Sequence, residues 1–197
     1  MKLRVTTFLS IILLFVATTQ SRASYSEFQY WETFGQYVPL VSAGFLGCLS
    51  VEAKDKFPTR VLKIGTSMVV EGVIVKGFKL AIDEERPDGS SNNSFPSGHT
   101  ATAFNGAELV RYEYGTWWGI GAYTLATAVG LSRVYHERHY LWDVGAGAVF
   151  GFLSARIGIQ TISLLKEKRD QKKENLNVSF SPVFYDNGAK FVVTVDL

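Results

Sequence analysis

Three short segments of this chain carry side chains whose types and spacing could do chemistry together. The first spans Lys79 to Arg86 and Pro87, the second is Pro96, Ser97, Gly98 and His99, and the third runs from Ser132 and Arg133 to His139 and Asp143. Each alone has a plain structural explanation. Lys79 and Arg86 suit solvated helix ends, Pro96–His99 suits a helix-capping turn, and His139 with Asp143 suits a surface pair one turn apart. Taken together they suggest a phosphate cradle. Lys79 and Arg133 close apolar runs and Arg86 lies in an adjoining loop, where a charge is costly unless it meets an anion. The two guanidinium forks match a tetrahedral oxyanion, and the lysine adds a point charge. Ser97 and Gly98 precede a helix whose first N–H groups aim at the same place, and Gly98 lets the backbone come close.

The histidines extend this to catalysis. His139 and Asp143 are four residues apart, so on a helix they share one face. The carboxylate then holds the imidazole in one tautomer and activates it as a nucleophile. His99 supplies a proton to a leaving oxygen. Asp83, Glu84 and Glu85 are adjacent and cannot all face one ion from a regular helix. The expectation is therefore chemistry with no metal and no cofactor, with phosphate or vanadate occupying the site as product or inhibitor.

Lys-x6-Arg-Pro, Pro-Ser-Gly-His and Ser-Arg-x5-His-x3-Asp, in this order, resemble the three-part signature of the type 2 phosphatidic acid phosphatase superfamily. That superfamily includes lipid phosphatases, bacterial class A acid phosphatases and vanadium haloperoxidases. Every specified position of the signature is matched. The resemblance covers roughly residues 33–165. It implies His139 as a phosphohistidine-forming nucleophile, Asp143 as its orienting carboxylate and His99 as the acid that later activates water. It assigns Lys79, Arg86, Ser97, Gly98 and Arg133 to the phosphoryl oxygens. His136 is outside the signature and reads as an exposed loop histidine, with a place at the rim of the site as the alternative. Tyr135, Tyr140 and Trp142 surround the nucleophile, either as pocket walls or as residues at a membrane interface.

These residues need helices to position them. The uncharged run 33–51, the helically spaced run 61–82, a helix from near Ser97 to Tyr112, the run 116–132 and an apolar helix over 140–165 predict an all-α fold. The expected architecture is a bundle of about five or six helices with the active site at one end, plus a small C-terminal β-hairpin. Residues 52–60 read as a polar connector, 83–97 as a loop and 133–139 as a short polar loop. Only residues 88–95 separate the first two segments, which suggests an open site without a large lid. The charged run 166–174 reads as a solvated helix end or linker. Beyond it, residues 177–197 alternate apolar and polar around Asp186-Asn187-Gly188, a hairpin signal. The domain reading is 1–23 as a secretory signal or an uncleaved first membrane helix, 24–165 as the phosphatase domain, 166–176 as a charged linker and 177–197 as the hairpin.

Composition bounds the function. The chain has 197 residues, 47% hydrophobic and 19% charged, with net charge +2, so disorder and a basic nucleic-acid binder are excluded. A single cysteine, Cys48, excludes an internal disulfide and reads as a small buried hydrophobe. Asn92-Asn-Ser94 and Asn177-Val-Ser179 match the glycosylation sequon, a weak pattern. Charge topology favours an integral protein, exported or in the inner membrane, with its site facing the periplasm. Glu71, Glu108 and Arg156, which interrupt apolar runs, favour a compact secreted domain instead.

The leading expectation is a metal-independent phosphatase hydrolysing a lipid phosphate monoester or pyrophosphate. By resemblance, the candidates are undecaprenyl pyrophosphate, phosphatidylglycerol phosphate, phosphatidic acid and lipid A phosphate. The alternative is a soluble, broad-specificity periplasmic acid phosphatase. Behind these stand a vanadium-dependent haloperoxidase and a non-catalytic binding protein that retains the cradle.

Overall fold

The computed structural model describes residues 34–49, 51–174, 177–185 and 188–196. The N-terminal segment read as an export signal, the Cys48 side chain and the turn residues Asp186 and Asn187 lie outside the described residues. Among the described residues, five full α-helices follow in chain order: α1 (Val38–Phe45), α2 (Phe57–Ala81), α3 (Gly98–Tyr114), α4 (Thr116–Tyr135) and α5 (Leu141–Glu174). A 3-10 turn, Leu46–Leu49, follows α1. Strands β1 (Asn177–Tyr185) and β2 (Gly188–Asp196) pair antiparallel, with Asn177 opposite Asp196 and Tyr185 opposite Gly188. The all-α class with an added hairpin is as expected.

Several boundaries shift for local reasons. Residues 52–60 are not all connector, because α2 begins at Phe57 with Pro58 in its first turn, where a missing N–H costs nothing. Pro39 opens α1 in the same way. Arg133 lies inside the last turn of α4, not in a loop. The charged run from Lys166 continues α5 to Glu174, so of its two readings the exposed helix end is the one the structure takes. The chain forms two compact units, divided after Ile159. The first holds α1–α4 and the start of α5, and the second holds the rest of α5 and the hairpin.

In the first unit α3 is almost entirely buried, and its small residues make that possible. Thr100, Ala101, Thr102, Ala103, Gly106 and Ala107 leave room for neighbours on every side. The core around it comprises Leu40, Ala43 and Leu46, then Leu109 and Val110, then Trp118, Ala122 and Ala126, with Ala155 and Ile159 from α5. Gly115, at φ 91°, joins α3 to α4 in a backbone conformation that a Cβ disfavours. Its N–H caps the Arg111 carbonyl at 3.0 Å, and the reversal returns α4 toward the end where α3 begins.

The approach of α5 to α3 depends on having no side chain at Gly147. A Cβ there would lie 2.5 Å from the Ser97 carbonyl oxygen and 3.2 Å from Thr100 Cβ. Gly151 meets the Ala101 backbone in the same way. This crossing puts the start of α5, with Asp143, directly against the start of α3: Ser97 N–H donates to the Asp143 carbonyl at 3.1 Å. Gly147→Ala is therefore expected to destabilise the fold by about 1–3 kcal/mol and to lower the melting temperature. An unchanged melting temperature would show that the two helices have room to separate.

Candidate active site

Each expected site residue arrives on a helix end or an adjoining loop at one end of the first unit. Lys79 is in the last turn of α2, Ser97 is the N-cap of α3, Gly98 and His99 open that helix, Arg133 is in the last turn of α4, and Asp143 is in the first turn of α5. Arg86 lies in the loop after α2, and His139 in the turn before α5.

The loop after α2 is short but tied down. Arg86 N–H donates to the Ser91 carbonyl and Gly89 N–H to the Arg86 carbonyl, both at 2.9 Å, and Ser94 N–H closes the base on the Glu84 carbonyl at 2.9 Å. The loop is also joined to the turn that carries His139. Asp88 N–H donates to the Glu137 carbonyl at 3.0 Å, and Asp88 pairs with Arg138 at 2.9 Å. Lys79 Nζ reaches across to the Asn93 carbonyl at 2.5 Å and the Ser94 carbonyl at 3.5 Å. The first and third motifs are thus bound to each other through the short connection between the first and second.

The turn after α4 positions the nucleophile candidate. Arg138 and His139 both donate their N–H groups to the Arg133 carbonyl, at 3.0 and 3.3 Å. Glu137 adopts φ 54°, a left-handed conformation uncommon for a residue with a side chain. His136 is a correction to the sequence reading. It is half-buried, and its Nδ1 donates to the Ser132 carbonyl at 2.8 Å, capping α4.

His139 is 3% exposed and Asp143 0%. The expected shared helical face needs correction, because His139 precedes α5. The two still approach, with Nδ1 3.6 Å from Oδ2, beyond hydrogen-bond reach. The shortest bond to Asp143 comes from Ser94, whose hydroxyl donates to Oδ2 at 2.5 Å, and Tyr140 N–H donates to the same oxygen at 2.9 Å. Ser94 was not picked out by the sequence except within a sequon. Its signal was its place among turn-forming residues, which carries no chemistry.

The field at this end is strongly positive. Burial, then Lys79, Arg133 and Arg86, lower the His139 pKa to about 3 against the opposing pull of Asp143. Burial, then Arg133, Arg86 and Lys79, lower His99 to about 4. Burial and then Arg86 lower Lys79 to about 8. The three cations are therefore close enough to act on both imidazoles. Arg86 Nε is buried with no acceptor among the described residues, the condition of a donor awaiting a ligand. Ser97 makes no side-chain cap. Its hydroxyl shares a 2.9 Å bond with Thr100 Oγ1, while the first N–H groups of α3 have no acceptor within their own helix.

The aromatic rim divides. Tyr135 is 82% exposed, and Trp142 is 58% exposed while donating its indole N–H to Glu84 at 2.9 Å. Tyr140 stacks on Trp142 with ring centres 4.4 Å apart. A Cβ at Gly98 would meet only Val75, at 3.7 Å, so packing inside the fold does not require that glycine.

The chain is 35% identical over 131 residues to a lipid A 1-phosphatase of Porphyromonas gingivalis, covering 64% of this chain and 29% of that protein. It is 30% identical over 119 residues to a lipid A 4'-phosphatase of Helicobacter pylori, covering 55% and 59%. It is 43% identical over 67 residues to the bacitracin transport permease protein BcrC of Bacillus licheniformis, covering 32% and 31%. The chain thus spans less than two thirds of the length of each of these relatives. The crystal structure of LpxE from Aquifex aeolicus superposes with a TM-score of 0.56 at 23% identity, covering 76% of this chain and 94% of that one, so the fold is shared. Residues 60–166, just over half of the chain and including all three motifs, match the PAP2 superfamily, and the chain belongs to that superfamily.

Proposed function

We propose that the protein is a metal-independent lipid phosphatase that hydrolyses a phosphate monoester or pyrophosphate through a phosphohistidine on His139. The observation that carries this is the convergence of Lys79, Arg86 and Arg133, from three separate elements, on the buried imidazole of His139 and the half-buried imidazole of His99. Nδ1 of His139 faces Ser94 and Asp143, which leaves Nε2 for attack. Nε2 attacks phosphorus as the ester P–O bond breaks, and the leaving alkoxide takes a proton from the His99 imidazolium. Neutral His99 then takes a proton from water. The resulting hydroxide attacks phosphorus and breaks the P–N bond, releasing orthophosphate and restoring His139. The cations and the first N–H groups of α3 stabilise the charge on the transferring group, a task that in this reading needs no metal.

The low pKa of His99 requires that the substrate itself charge the acid. A dianionic phosphate between the three cations reverses the field that holds the imidazole neutral, so binding and protonation of His99 are coupled. The sign for stability follows. Both folded histidines lie below the unfolded value of 6.5, so their contribution is complete above that pH and is lost as pH falls toward about 4 and 3.

A lipid substrate is supported by the surface of the bundle and by the lipid A phosphatases among the relatives. Val69 and Val73 on α2, Ile120 and Leu131 on α4, and Val149 and Phe152 on α5 are exposed, while the mid-helix carboxylates Glu71 and Glu108 are buried. Glu71 accepts from Thr102 at 2.7 Å and Asn105 at 2.6 Å. Glu108 accepts from Arg111, Tyr123 and Arg156. Polar groups inside and apolar groups outside suit hydrocarbon surroundings. Among the described residues one helix, Leu141–Lys173, is long and apolar enough to cross a membrane. The site, at the helix ends, would then lie at headgroup level, and we assign it to the extracytoplasmic face.

Four outcomes test this reading. Phosphate release from lipid phosphates in detergent should persist in EDTA, and loss of activity in EDTA would refute the metal-free mechanism. His139→Ala should lower turnover more than about a thousandfold and abolish the phosphoenzyme, whereas His99→Ala should cost poor leaving groups about a hundredfold more than p-nitrophenyl phosphate. Melting temperature should decline from pH 6.5 toward pH 4, and orthophosphate should flatten that decline by raising both imidazole pKa values. A decline unaffected by orthophosphate would mean that the anion does not sit between the cations.

A further inference from the structure

Ser94, His139 and Asp143 are buried together, and the shortest bond among them does not involve the histidine. Asp143 Oδ2 accepts from Ser94 Oγ at 2.5 Å and from Tyr140 N–H at 2.9 Å. His139 Nδ1 stands 3.6 Å from that oxygen and 3.5 Å from Ser94 Oγ. Asp143 Oδ1 is buried without a hydrogen-bond partner among the described residues. Ser94 itself is 0% exposed, and its backbone is held at both ends, by Glu84 through its N–H and by Lys79 through its carbonyl.

We propose that Ser94 is a positioning residue for the nucleophile, a hydroxyl that links the His139 ring to Asp143. A serine hydroxyl carries one proton and two lone pairs. With its proton committed to Asp143, Ser94 can face His139 only as an acceptor. It therefore selects the tautomer protonated on Nδ1 and leaves the Nε2 lone pair for phosphorus. It also fixes the carboxylate from a second direction, so Asp143 stays aimed while charge builds on the ring. The same residue connects the three motifs: its backbone ties to Lys79 and Glu84 of the first, it lies two residues before Pro96 of the second, and its side chain reaches Asp143 of the third.

This inference rests on reading His139 as the nucleophile, but its test separates the two. The experiment compares wild type with Ser94→Ala, measuring kcat and KM for p-nitrophenyl phosphate and the nitrogen chemical shifts of His139 by NMR. The expected result is a fall in kcat of about ten- to a hundredfold with KM within twofold, accompanied by loss of the Nδ1-protonated tautomer. An unchanged kcat would overturn the assignment. So would a lower kcat with the tautomer unaltered, because that is what a purely structural serine would give. Should Ser94→Ala fail to fold, the wild-type shifts decide: protonation on Nδ1 supports the link, and protonation on Nε2 refutes it. A wild type that releases no phosphate would end the phosphatase reading, while the nitrogen shifts would still judge Ser94.

Discussion

Positive charges repel, and a fold that gathers Lys79, Arg86 and Arg133 around the same two imidazoles stores that repulsion until an anion relieves it. Asp143, the buried carboxylate beside them, offsets only part of the excess. Both imidazoles respond by staying neutral, and the lysine gives up part of its affinity for a proton. The rest of the first unit can be understood as the frame that keeps these groups from moving apart. Each cation is placed on a different element, so no local adjustment of one segment relaxes the whole set.

The frame depends on small residues. Alanine, glycine and threonine along α3 and glycine along α5 let backbones approach where larger side chains would hold them apart. The core is correspondingly poor in large aliphatic side chains, and much apolar surface faces outward. In water such a balance is weak, since little apolar area is buried per residue. In hydrocarbon it is workable, because close packing and buried hydrogen bonds such as those of Glu71 with Thr102 and Asn105 replace the hydrophobic drive.

Much of the site was legible in the sequence because its residue types are rare in apolar surroundings. Lys79, Arg133 and His99 stand out against the helices that carry them, and the number and order of helices followed from apolar periodicity. The details that escaped are those in which backbone, not side-chain type, decides. Pro58 starts a helix where composition suggested a connector. His139 lies in a turn held by the Arg133 carbonyl, so the four-residue spacing to Asp143 was informative although its helical rationale was not. His136 caps a helix in place of facing solvent. Ser94 resembles its loop neighbours in every compositional respect, and only the folded chain shows which one meets a buried carboxylate.

The single carbonyl of Arg133 that receives the N–H groups of Arg138 and His139 serves as a gauge. The guanidinium that would grip the phosphoryl oxygens and the imidazole that would strike the phosphorus are both measured from that one atom. Thermal motion of the turn then carries gripper and striker together, and the gap between them varies less than the position of either. Chemical fidelity in such a design is set by a shared reference point, even where the surrounding bundle is soft.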